Sequence, residues 1–418
     1  MNTATIEKLF ADTAYIRTGG SEEERRAADY IVGCCLEYGL QASLDPFDVP
    51  MAEVHTATLT VTDGDGTVRE IPCKGYLCAG CGEVTAPLYY LSAGGDRQML
   101  SEIRGKIVLI DGYLGYWMYH DLVKNGAVGF ITYDGNVHYA DRDIDRRELR
   151  SYVCQGAADG VKLPGVNINV KDAVTLIEND VVSASITLQQ DEYEGRSQNV
   201  VLEIPGENPD RVIVVTAHYD STSLSQGAYD NMSGAICLLS MAEYFAKPEN
   251  KPLCTLRFLW CGSEERGLLG SKAYCANHED ALGAIELCVN IDMIGCTMGR
   301  FIACCTSEDK LVSYIGYMGH ELGFQVGPYQ DVYSSDSTPF ADRGIPAVSF
   351  ARSAPGNTAV IHNSYDTVKS IKPSHMVADI GFITAFTARM ANAKFPPVAR
   401  EMPDNMKEKL DKYLCRKR

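Results

Sequence analysis

Arg211-Val212-Ile213-Val214-Val215-Thr216-Ala217-His218-Tyr219-Asp220 is the stretch that decides the fold. From 211 to 217 the run is almost continuously β-branched and apolar, as in a strand covered on both faces. The glycine-flanked turn Gly227-Ala228-Tyr229-Asp230-Asn231-Met232-Ser233-Gly234 follows, and then a helical pattern over 235–246. The alternation repeats downstream. Strands are expected at 255–260, 284–291 and 347–351, and helices at 269–277, 310–322 and 375–390. Such an order predicts an α/β fold, with a mixed, largely parallel central sheet and helices on both faces. In sheets of this kind, sites lie beyond the carboxyl ends of the strands.

Upstream, residues 1–40 read as helical. Ser21 and Glu24 form a capping box, Ala27, Ala28, Ile31, Val32 and Leu36 follow at helical spacing, and Gly39 is a stop. A Thr- and Val-rich strand is expected at 54–62. From 71 to 192 the texture changes to short strands (106–110, 128–132, 182–188) with one helix at 119–125. No catalytic set is evident there. The expected domains are therefore 1–70 with 193–418, and an inserted, mostly-β domain at 71–192. The tail around 409–413 is weakly amphipathic and expected to fray.

A chain of 418 residues with 45% hydrophobic and 22% charged residues is long enough for two soluble domains. Its net charge of -17 repels phosphate backbones and anionic lipid, which argues against nucleic-acid and membrane partners. No apolar run approaches the ~18 residues that span a bilayer. The start, Met1 to Lys8, has neither the basic nor the apolar block of an export signal. Many of the fifteen cysteines, such as Cys237, Cys254, Cys261 and Cys288, sit in apolar stretches, so they read as reduced thiols of a cytoplasmic protein. Cys73, Cys78 and Cys81 have an iron–sulfur-like spacing, C-x4-C-x2-C, but no fourth partner is evident; the run reads as chance.

The chemistry lies in where acids and histidines fall. His218 and Asp220 follow the first strand, and Asp230 sits in the glycine-flanked turn. Glu264 and Glu265 follow the next strand, Asp292 the one after, and His362 the last. Successive elements thus deliver polar groups to one edge of one sheet. Crowded carboxylates repel one another unless cations are present. Two imidazoles among them suit zinc, and a metal pair can share a carboxylate. Taken singly, each residue has a bland reading as a turn former, a cap or a structural histidine. His55, His120, His138, His278, His320 and His375 keep that reading.

These residues resemble the zinc aminopeptidases of family M28, whose relatives include carboxypeptidases and glutaminyl cyclases. The resemblance covers about 1–75 and 195–395. It rests on Ala217-His218-Tyr219-Asp220-Ser221, Asp230-Asn231 with Ser233-Gly234, Ser263-Glu264-Glu265-Arg266-Gly267, Asn290-Ile291-Asp292-Met293 and His362-Asn363-Ser364-Tyr365-Asp366-Thr367. It implies a zinc-exopeptidase fold holding two Zn2+, with Co2+ or Mn2+ as other candidates. One zinc would take His218, Asp292 and bridging Asp230, and the other Glu265, His362 and the same Asp230. Glu264 would be the general base, Asp220 would orient the His218 ring, and Asp366 would do the same for His362. The insert resembles a protease-associated domain through 104–110 and 125–129. Where many relatives carry a histidine, this chain has Ser337.

The implied activity is removal of N-terminal residues from peptide substrates. A carboxypeptidase or dipeptidase is the first alternative, because Arg343 and Arg352 could grip a terminal carboxylate. A non-catalytic binding relative is the second, and a homo-oligomer stays open. A serine hydrolase is set aside because no G-x-S-x-G elbow precedes a helix.

Overall fold

The structure, a computed structural model, describes residues 1–92, 97–356 and 358–418. The chain forms two compact units, Met1–Val49 with Arg196–Lys417, and Pro50–Gly195. The second unit begins before residue 71, because Leu59, Val61 and Ile71 pack with its own Ile107, Leu109, Ile131 and Ile186.

In the first unit, the run that opened the sequence reading lies in the strand Asn208–His218. Four parallel strands form the centre, in the order Ala347–Ser353, Ile285–Ile291, Asn208–His218 and Cys254–Cys261. Residues 200–204 run antiparallel beside Cys254–Cys261. On the other side, Arg300–Thr306 is antiparallel to Ala347–Ser353 and parallel to the short outer strand Gly327–Gln330. The sequence reading gives no strand at Arg300–Thr306. Its apolar stretch is short and cysteine-rich, without flanking alternation, and its partners are distant in sequence.

Period-two geometry sends the side chains of Asn208–His218 into two cores. Ile213, Val215 and Ala217 face a cluster with Ala27 and Ile31 of Glu22–Glu37, Ile236 and Leu239 of Ser233–Phe245, and Ile383 and Phe386 of Pro373–Ala391. Val212 and Val214 face a second cluster, with Tyr274 and Cys275 of Leu269–Asn277 and with Phe340. Each such burial contributes roughly 1.5–3 kcal/mol, so both faces of the strand are used. The same cluster takes Met406 and Leu410 of the helix Asp404–Tyr413. The C-terminal tail is therefore docked, and the expected fraying does not occur.

The second unit has parallel strands Gly82–Leu91, Ile107–Ile110, Gly129–Asp134 and Gly165–Asn169. Residues 183–188 pair antiparallel with Gly82–Leu91. Tyr119 and Leu122 of Tyr116–Lys124 pack on one face, and Ala173 and Leu176 of Val170–Glu178 on the other. The thiol of Cys73 turns to the Ala57 carbonyl and that of Cys81 to the Gln190 carbonyl, so these two point to separate partners. Among the described residues, no helix is long and apolar enough to cross a membrane.

Candidate metal centre

Strand register assembles the site. His218 ends its strand level with Cys261, and Asn290 is level with Thr216, so Asp292 reaches the height of His218. Beyond Cys261 the chain turns at Ser263, whose φ of 52° lies in the left-handed region. That turn aims two successive backbone N–H groups at Asp220. Glu264 N donates to Oδ1 at 3.0 Å and Glu265 N to Oδ2 at 3.2 Å. Asp220 Oδ1 also lies 3.3 Å from His218 Nδ1. The fully buried Asp220 thus stands behind both the histidine and the paired glutamates.

Asp230 lies between the two histidines. Its Oδ1 is 3.2 Å from His218 Nε2, and its Oδ2 is 3.1 Å from His362 Nε2. The Asp230–Asn231 peptide bond is cis. Buried Asn231 ties this turn to the end of the neighbouring strand: its Oδ1 accepts from Gly234 N and Met293 N, and its Nδ2 donates to Ile291 O. A Cβ at Gly234 would sit 2.4 Å from Ile291 O, so the close approach requires glycine. Asp366 accepts from Tyr229 N at 2.8 Å and Asp230 N at 3.0 Å. It therefore holds the backbone of Asp230, which corrects its expected place behind the His362 ring.

Around this aspartate, His362 Nε2 is 3.1 Å from Glu265 Oε2. His218 Nε2 is 3.6 Å from Asp292 Oδ1 and 4.0 Å from Glu264 Oε2. Burial disfavours charge on His218, but Glu264, Asp220, Asp230 and Asp292 outweigh it and raise its pKa well above the usual imidazole range. The charge of Glu265, helped by Asp230 and opposed by burial, raises His362 likewise. Burial pushes Glu264 well above the usual carboxyl range; Glu265, Asp336 and Asp292 add to the shift, and His218 opposes it. Asp230 is held below that range despite burial, because both imidazoles bond to it.

Two ligand triads emerge among the described residues: His218, Glu264 and Asp292, and Asp230, Glu265 and His362, each with donor atoms within 4.8 Å of one another. Asp292 Oδ1 is buried without a hydrogen-bond partner. Imidazole nitrogens and carboxylate oxygens converging on one place, with a buried oxygen left over, fit zinc.

Residues 199–385 match the model of Peptidase family M28. Over that stretch the chain is similar to peptidase family M28. The chain is 26% identical over 399 residues to Aminopeptidase YwaD of Bacillus subtilis (strain 168), covering 91% of this chain and 82% of that relative. Its fold matches BSAP, a zinc aminopeptidase from Bacillus subtilis, with a TM-score of 0.74, 25% identity and coverage of 96% and 98%. It also matches the aminopeptidase of Aneurinibacillus sp. strain AM-1, with a TM-score of 0.71, 25% identity and 95% of each chain covered.

All seven expected site residues, His218, Asp220, Asp230, Glu264, Glu265, Asp292 and His362, meet at this sheet edge. Ser337 is buried, with Oγ 2.9 Å from Ser349 Oγ, in a hydroxyl network that includes Asn290. Three buried groups escape the sequence reading. Asp336 carries both oxygens buried close to the ligands. Arg17 and Glu24 lie some two hundred residues from the loops they contact. The capping-box pattern gives Glu24 a sufficient local explanation and so conceals its longer reach.

Proposed function

We propose that this chain is a two-zinc aminopeptidase that removes N-terminal residues from peptides. The observation that carries the reading is Asp230, which presents one oxygen to His218 and the other to His362. His218, Asp292 and Asp230 would hold one ion, and Glu265, His362 and Asp230 the other. Two zinc ions held there supply a polarised carbonyl and a water of lowered pKa. Glu264 can also reach the first ion's place with His218 and Asp292. Of the three carboxylates around His218 Nε2, however, it stands farthest, at 4.0 Å against 3.2 Å for Asp230 and 3.6 Å for Asp292. It is therefore assigned as the base, taking the proton of the attacking water and returning it to the departing amine. Its buried, raised carboxyl suits a group that must both take and release a proton. The surplus of carboxylates favours the cationic α-amine of a substrate.

The carboxypeptidase alternative needs a cation for a terminal carboxylate. Arg352 is engaged with buried Asp379, its Nε 2.9 Å from Oδ2, and Arg343 donates to the Pro339 carbonyl. Neither guanidinium is directed to that task. The unit Pro50–Gly195 is read as protease-associated-like on the strength of its sequence segments. A reducing, cytoplasmic setting is supported by the fifteen free cysteines.

The test is a peptide panel, each member with free and acetylated N-termini, given to zinc-reconstituted protein. Cleavage of free N-termini alone supports the proposal, and equal cleavage of both forms overturns it. Glu264→Gln should keep two zincs per chain while turnover nearly vanishes. A fully active Gln variant would remove Glu264 from its role.

A further inference from the structure

Glu24 is fully buried in the first turn of the helix Glu22–Glu37. Ser21 Oγ caps the helix by accepting from Glu24 N at 3.1 Å, as a capping box requires. The reciprocal half of the box is displaced by one residue, since the Glu24 carboxylate accepts from Gly20 N at 2.7 Å. The rest of that carboxylate is spent far away. Oε1 accepts from Ser263 N at 2.7 Å and Ser263 Oγ at 3.0 Å, and Oε2 accepts from Ser197 Oγ at 2.9 Å. Four donors thus converge on one carboxylate, and two of them belong to the residue just before Glu264.

The segment bearing Glu24 is itself pinned to the other side of the centre. Buried Arg17 donates to Tyr219 O at 2.7 Å, Gln226 O at 2.6 Å and Gly227 O at 3.2 Å. Its backbone exchanges bonds with Ser221, N to Oγ at 3.0 Å and O from Ser221 N at 3.1 Å. These carbonyls lie on the loop between His218 and Asp230. Packing leaves little slack: a Cβ at Gly19 would sit 2.5 Å from Ser263 Oγ, and one at Gly262 2.9 Å from Glu24 Oε1.

We propose that Glu24 is a positioning residue for Glu264, fixing the left-handed turn at Ser263 from a segment anchored by Arg17. Both residues lie outside the 199–385 stretch that matches the family model. The turn is held from two sides, by Glu24 at Ser263 N and by Asp220 at the next two N–H groups. Three consecutive amides bound to two buried carboxylates leave Glu264 one backbone direction from which to reach the reacting centre. This inference rests on Glu264 being the base.

Glu24→Gln keeps the size but replaces one acceptor oxygen with a donor, which then faces an N–H or hydroxyl donor. The expected loss is about ten- to a hundredfold in kcat, with KM within about twofold, the scale seen for groups that orient catalytic ligands. Zinc content should stay at two per chain. In the metal-free chain, amide exchange across 262–268 should quicken, a readout independent of activity. A Glu24→Gln, Glu264→Gln double variant decides whether the effect runs through the base: it should be no slower than Glu264→Gln alone. Should Glu24→Gln fail to fold, Ser197→Ala removes one of the four donors and should lower kcat by about three- to tenfold, with the same lack of additivity. Unchanged kcat and amide exchange, or fully multiplicative losses, would overturn the proposal. An active Glu264→Gln protein would instead reject the base assignment, and the exchange measurement would still report on the turn.

Discussion

Asp220→Asn separates charge and acceptor capacity from shape at the point where the site is most tightly held. The carboxylate binds Glu264 N and Glu265 N, one on each oxygen, and lies 3.3 Å from His218 Nδ1, in full burial. Asparagine keeps one acceptor and turns an NH2 toward whichever amide loses its partner. Hydrogen bonds to a charged group contribute about 1.5–3 kcal/mol each, and a stranded buried donor costs about 1–3 kcal/mol. The fold should therefore lose about 2–4 kcal/mol. The displaced glutamates and less oriented His218 should weaken zinc binding about ten- to a hundredfold, close to 1.4–2.8 kcal/mol. Chelator-competition titration would read the affinity, urea unfolding of the metal-free protein the stability, and steady-state kinetics on a free-amine peptide the turnover. Wild-type zinc affinity together with wild-type kcat would refute the reasoning, because Asp220 would then be holding nothing that the site uses.

Three other outcomes are expected. Ser337→His forces a ring into a buried hydroxyl network and should destabilise the fold by about 1–3 kcal/mol without changing zinc stoichiometry; an unshifted thermal midpoint would contradict the packing. Arg352→Ala leaves Asp379 buried without its ion pair and should cost about 3–5 kcal/mol, while amidated and free-acid peptides are cleaved at one ratio before and after; a KM rise confined to free-acid peptides would revive the carboxypeptidase alternative. The metal-free protein should weaken with rising pH. His218 and His362 have raised pKa values, so the stabilisation from their imidazolium–carboxylate contacts is complete below pH 6.5 and lost as pH climbs through the raised folded values. Thermal melts at pH 6 and pH 9, with and without zinc, would show the zinc-free midpoint falling; a rise would show that the carboxylates do not govern these rings.

The α/β order and the candidate ligands were legible in the sequence because both are written locally. A run such as Val212–Val215 can be satisfied only by a strand buried on two faces, and parallel strands send their carboxyl ends to one edge. The order of elements put His218, Asp230, Glu264, Glu265, Asp292 and His362 at one sheet edge, and the resemblance to family M28 supplied their expected roles. Tertiary structure decided what no local pattern encodes: the Arg300–Thr306 strand, the docking of the C-terminal helix, and the partners of Asp366, Arg17 and Glu24. A carboxylate's local sequence fixes where it enters the fold, but its partners are chosen by which buried N–H groups lack acceptors. For Glu24 and Asp366 those groups come from turns more than a hundred residues away, brought close only when the sheet is complete.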